Sequence, residues 1–146
     1  PVSGAVKTDK GYWMIQRSWQ PGDTVSCEME MEPERVYAHP MVRADAGCVA
    51  LRRGPIIYTF EGVDNGEDLQ TLRIPREAKI EVLPYQADLL EGIVALRVTG
   101  CRKKAAVNLA LYAEDAAPEE VVTLQAIPYY AWCNRGMTHM RVWMQE

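Results

Sequence analysis

The chain has 146 residues, 48% of them hydrophobic and 25% charged, with a formal net charge of −4. That length fits one domain, or one compact domain with pieces of a neighbour, and is enough to bury about two-thirds of the unfolded surface without staples. The acidic balance argues against nucleic acid, which is held by clustered Lys and Arg, and no run approaches the ~18 apolar residues of a membrane helix.

Tyr12 to Trp19 is rich in aromatic and β-branched residues and reads as a strand. In Gln20-Pro21-Gly22-Asp23, proline followed by glycine suits a type II turn. Thr24–Met31 alternates strictly, with Val25, Cys27, Met29 and Met31 on one face and Thr24, Ser26, Glu28 and Glu30 on the other. That is the pattern of a half-buried antiparallel strand, so the two segments predict a β-hairpin. Glu32-Pro33-Glu34 interrupts it, because proline has no N–H for a ladder. Further strands are predicted over Arg35–Ala38, Cys48–Arg52, Ile56–Glu61 and Ala78–Leu83, with a polar loop across Val63–Asp68. Pro84–Leu90 is a short helical candidate. Ile93–Val98, Val107–Tyr112, Val121–Ile127 and Met140–Met144 continue the strand series, with a loop at Glu114–Glu120. Many short strands divided by turn signals specify an all-β fold, an antiparallel β-sandwich or barrel.

Local catalytic signatures are absent. Glu28 and Glu30 stand side by side on one strand face, the pattern of a solvated outer face rather than of two carboxylates flanking a glycosidic bond. His39 and His139 are the only imidazoles, and the spacing from Cys133 to His139 matches no metal or thiol-activating pattern. Cys27, Cys48, Cys101 and Cys133 lie 21, 53 and 32 positions apart, without the close pairs of a structural zinc site. Two disulfides or buried free thiols both accommodate them, and free thiols are favoured. The compartment is not determined, with the cytoplasm favoured. Arg102-Lys103-Lys104 reads as a solvated turn. Trp13, Trp132, Tyr129 and Tyr130, with Trp19 and Trp143, offer aromatic faces for stacking a sugar. The same rings suit a core or an interface with a neighbouring domain, and that reading is preferred.

Three segments carry a resemblance. Gly11-Tyr12-Trp13-Met14-Ile15-Gln16-Arg17-Ser18-Trp19, followed by Gly22-Asp23-Thr24-Val25, resembles the G-Y-x-x-I-x-R-x-W-x-x-G-D-x-V stretch of glycoside hydrolase family 127. Ala38-His39-Pro40, then Val49-Ala50-Leu51-Arg52-Arg53-Gly54-Pro55-Ile56-Ile57-Tyr58 with Glu61 and Asp64-Asn65, is similar to its A-H-P and V-A-L-x-R-G-P-x-V-Y signatures. Ala126-Ile127-Pro128-Tyr129-Tyr130-Ala131-Trp132-Cys133-Asn134-Arg135-Gly136, ending in Met140-Arg141-Val142-Trp143, is similar to the family's terminal motif.

The resemblance implies a bacterial β-L-arabinofuranosidase-like parent whose helical barrel comes first and holds a zinc-bound cysteine nucleophile and a glutamate acid/base. No segment here matches those motifs, so it implies a non-catalytic C-terminal segment without a cofactor, none of whose four cysteines is the nucleophile. The chain opens at Pro1 without Met, as a trimmed piece of a longer polypeptide would. The family's two jelly-roll-like sandwiches, the second inserted before the last strand of the first, map here to residues 1–33 with 138–146 and to residues 34–137. An incomplete first sandwich leaves open edges, so self-association is expected. The expected partner is the catalytic barrel, with carbohydrate as the alternative, and no role with nucleic acid or membranes.

Overall fold

A computed structural model describes residues 5–104, 112 and 114–146. Its centre is the hairpin of β4 (Cys48–Arg53) and β5 (Ile56–Glu61), joined through Gly54-Pro55. Gly54 adopts φ +56, and the Met31 side chain occupies the place where a Cβ would go. The run Cys48–Leu51 is buried throughout, as an unbroken apolar run in a strand covered on both faces should be.

The long pair β8 (Leu96–Lys103) and β9 (Glu119–Pro128) is antiparallel, in register from Leu96 opposite Ala126 to Lys103 opposite Glu119. Alternation along β8 buries Leu96 and Val98 and exposes Arg97 and Thr99. Gly100 is required here for close approach, since a Cβ would stand 2.8 Å from Leu124 Cγ and 2.9 Å from the Arg73 carbonyl oxygen.

Short strands complete the sheets: β3 (Pro33–Val36) on the outer edge of β4, β6 (Leu72–Arg73) and β7 (Ile80–Val82) along β8, β10 (Met140–Arg141) on β5, and β11 (Met144–Gln145) between β4 and β6. One layer therefore runs β10–β5–β9–β8–β7 and the other β3–β4–β11–β6. They join where β4 turns into β5 and where β6 meets β8. Val49, Leu51, Leu72 and Met144 from one layer meet Tyr58, Phe60, Leu96, Val98 and Leu124 from the other in the main core. This is the expected all-β, antiparallel sandwich-like architecture. Among the described residues no helix is long and apolar enough to cross a membrane.

Several segments depart from expectation. Trp13–Ile15 (β2) does form a strand, but it pairs with β1 (Ala5–Lys7) in a separate two-stranded ribbon. The predicted hairpin partner, Thr24–Met31, has no ladder among the described residues, and Thr24 to Glu30 are exposed. The turn between them is present, with Gly22 at φ +92 and the Asp23 N–H donating to the Gln20 carbonyl at 3.0 Å. Alternation prepares one face of a strand, but a ladder also needs a neighbouring edge, which the described residues do not offer to Thr24–Met31. The helical candidate Pro84–Leu90 is instead a tight reversal bridged by Gln86 and Ile93, in which Leu90, Glu91 and Gly92 all take positive φ. Its apolar residues Leu89 and Leu90 pack on a satellite core of Leu83, Ile93, Ala95, Ile127 and Ala131. The helical turn α1 (Gly62–Asn65) lies at the start of the predicted polar loop. Met140–Met144, expected as one strand, splits into β10 and β11 with different neighbours. Of the predicted strand Val107–Tyr112, only exposed Tyr112 is among the described residues. All four cysteines are free, but only Cys48 is buried, while Cys27 and Cys133 are exposed.

Candidate functional site

The chain leaves β9 at Pro128, paired with Tyr58, and enters a 3-10 turn at Tyr129–Ala131. Proline sits at the end of the ladder, where its missing N–H costs least. Ala131 is driven into the satellite core, which turns its neighbours outward: Tyr129, Tyr130 and Trp132 are 45%, 66% and 37% exposed. The Trp132 N–H donates to the Tyr129 carbonyl at 3.3 Å and the Asn134 amide to the Ala131 carbonyl at 3.2 Å. The rings of Tyr129 and Trp132 lie 6.5 Å apart, inclined at 32°.

A buried charge network holds this aromatic turn in place. Glu61, the last residue of β5, has no exposed surface. One carboxylate oxygen accepts the Cys133 N–H at 2.7 Å, and the other accepts from the Arg135 guanidinium at 2.6 Å. The same guanidinium forks onto both oxygens of Asp64 in α1, at 2.8 and 2.5 Å. Hydrogen bonds from Arg135 to Asp64, and then to Glu61, hold its pKa above the ordinary arginine value against the opposing effect of burial. Asn65 extends the clasp: its amide donates to the carbonyls of Glu61 and Gln125, both at 2.9 Å, and its side-chain oxygen accepts the Gln125 N–H at 2.8 Å. Segments 61–65 and 127–136, about 70 positions apart, are thereby locked together.

This geometry positions a loop. Both Glu61 oxygens are occupied, and Arg135 forks onto both oxygens of Asp64. Glu28 and Glu30 lie on the exposed, unpaired segment. Cys133 and His139 do line a common cleft of about 250 Å³ with Gly62, Glu67, Met137 and Thr138. The Cys133 thiol is 3.7 Å from the Gly136 carbonyl oxygen. His39 lies in a separate cleft and accepts the Met41 N–H at 3.2 Å. Among the described residues no three His, Cys, Asp or Glu side chains converge as metal ligands.

Of the aromatic candidates, Tyr129, Tyr130 and Trp132 share the turn, whereas Trp13 sits 63% exposed on the β1–β2 ribbon. Trp19 carries the Arg17 guanidinium 5.1 Å from its ring centroid. Beside the turn opens a groove of about 610 Å³ between Ile57, Tyr129, Met140, Arg141, Val142 and Trp143. Sequence reasoning quoted Glu61, Asp64, Asn65 and Arg135 as motif members without giving them a role. The usable signal was that two acids and one arginine sit in two motif segments that also carry the buried strand ends.

Residues 33–145 match the model of the glycoside hydrolase family 127 C-terminal domain. The chain belongs to this family. It is 37% identical over its whole length to the non-reducing end β-L-arabinofuranosidase of Bifidobacterium longum subsp. longum, covering 23% of that protein. It superimposes with a TM-score of 0.85 and 47% identity on the family 127 β-L-arabinofuranosidase of Geobacillus stearothermophilus, over 96% of this chain and 22% of that one. A second family 127 β-arabinofuranosidase matches with a TM-score of 0.79 and 33% identity, over 94% of this chain and 21% of that one. The chain thus spans less than a quarter of each of these relatives. The clasp and the aromatic turn lie inside the matched family 127 region.

Proposed function

We propose that this chain is the non-catalytic accessory sandwich of a β-L-arabinofuranosidase-like glycoside hydrolase, packed on a helical-barrel catalytic domain that does the bond cleavage. The observation that carries the reading is Thr24–Met31, a segment with strand alternation whose backbone finds no ladder and whose Met29 side chain is 71% exposed. Such a segment is built to be covered by protein. The boundary between two sandwiches falls near residue 33, where the family match begins. Residues 1–33 belong with the preceding sandwich. The segment 138–146, expected with them, hydrogen-bonds to β4, β5 and β6. The four free thiols suit a reducing compartment, the cytoplasm.

A chromogenic β-L-arabinofuranoside tests the division of labour. The full-length parent releases arabinose, and the chain alone releases none; release by the chain alone overturns the proposal. Amide exchange at Thr24–Met31 is expected to be fast in the chain alone and slowed in the parent. The open segment also favours self-association of the isolated chain, read by light scattering after size exclusion, and a strictly monomeric profile at high concentration defeats that part. The exposed Tyr129, Tyr130 and Trp132 keep carbohydrate binding as the second reading. Retardation in affinity gels containing arabinan would favour it.

A further inference from the structure

The groove beside the aromatic turn is chemically one-sided. Ile57, Met140 and Val142 make its walls apolar, the rings of Tyr129 and Trp143 flank it, and its charged side chain is Arg141. The Arg141 backbone is anchored, its carbonyl accepting the Thr59 hydroxyl at 3.0 Å. Its guanidinium forms no ion pair or side-chain hydrogen bond among the described residues. Glu61 and Asp64 are already committed to Arg135, and Glu34 to Arg52. Arg141, Trp143 and Tyr129, all hydrogen-bond donors, therefore line the groove, with no carboxylate or amide side chain among its walls. Sugar hydroxyls both donate and accept and are ordinarily met by acceptors as well as donors. A group that only accepts, such as a carboxylate, fits this wall better.

We propose that this groove is the docking centre for the catalytic part of the parent polypeptide, which inserts an apolar side chain between Tyr129 and Trp143 and presents an Asp or Glu carboxylate to Arg141. This rests on the accessory-sandwich reading and names the contact through which it operates. Tryptophan, tyrosine and arginine are the residues enriched at the energetic centres of protein interfaces. The Glu61–Arg135–Asp64 clasp pre-orders the turn that forms one wall, which lowers the entropy cost of docking. The relatives carry ample chain for an occupant, since this one covers only 22% of the Geobacillus enzyme.

The test uses the full-length polypeptide with a photo-crosslinking phenylalanine analogue placed at position 143, and in a second version at position 132. Cross-links from position 143 are expected on a peptide of the catalytic region that contains Asp or Glu. Arg141→Glu is expected to reduce their yield on the order of tenfold. Arg97→Glu, on the outer face of β8, should leave the yield unchanged. If position 132 cross-links to the catalytic region but position 143 does not, or if Arg141→Glu has no effect, the groove assignment is overturned and the accessory reading survives. If neither position reaches the catalytic region, or both reach only a second copy, the groove assignment is overturned as well, and amide exchange at Thr24–Met31 in the parent decides the accessory reading. Should Arg141→Glu disturb folding, the position 143 cross-link in the otherwise native chain still decides.

Discussion

Replacing Arg135 by alanine is the sharpest test of the clasp. The change leaves Glu61, which has no exposed side-chain surface, without its cation, while Asp64 is 14% exposed and can recover water. Removing one partner of a buried ion pair costs ~3–5 kcal/mol. Glu61 keeps the Cys133 N–H bond and Asp64 rehydrates, so the lower end, about 3 kcal/mol, is expected here. With a urea dependence of about 2 kcal/mol/M for a domain this size, the midpoint falls by about 1.5 M. The readout is urea unfolding followed by tryptophan fluorescence and by circular dichroism. Trp132 emission should shift red before the main transition, because the turn is released first. Arg135→Lys keeps the charge but loses the fork, and should forfeit about 1–2 kcal/mol. The double substitution of Glu61→Gln with Arg135→Met removes both charges and should recover much of the loss. A cost below about 1 kcal/mol for Arg135→Ala, with unchanged Trp132 emission, would refute the claim that this network holds the turn.

Gly100→Ala presses a methyl against Leu124 and the Arg73 carbonyl oxygen, and should cost about 1–3 kcal/mol in a thermal or urea melt. Glu91→Asn should stabilise by about 0.5–1 kcal/mol, because Glu91 is held at φ +60 in a tight reversal and asparagine tolerates that conformation better. Acid sensitivity should centre on two carboxylates. Hydrogen bonds from Arg76 to Glu146 and from Arg73 to Glu119 lower both folded pKa values from the ordinary 4.5. Their contribution is therefore complete above the unfolded value and is lost as pH falls below it through the folded values. Melting temperatures measured from about pH 6 down to about pH 3 should fall, and Arg76→Ala should flatten that slope. An unchanged slope would remove Glu146 from the account.

Strand character was legible wherever a strand's two faces differ in burial within this chain. Leu96 and Val98 against Arg97 told their faces from sequence alone, because the period-two pleat converts alternation directly into burial. The strand predicted over Cys48–Arg52 formed, though its burial on both faces emerged only with the structure. Thr24–Met31 carried the cleanest alternation of all and forms no strand here, since a ladder is a property of two segments and local pattern encodes only one. At Pro84–Leu90, composition alone did not reveal that Leu90 and Glu91 would be drawn into the left-handed region by the packing of Leu89 and Leu90 on the satellite core. The aromatic residues of the site were visible by type, and their exposure was not. Ala131 is buried and Tyr130 beside it faces outward because Glu61, Asp64 and Arg135, remote in sequence, meet at one end of the sandwich. Sequence determined which faces are apolar. Tertiary structure decided which of them find a partner, because hydrogen-bond ladders and buried ion pairs join residues whose separation along the chain carries no local signal.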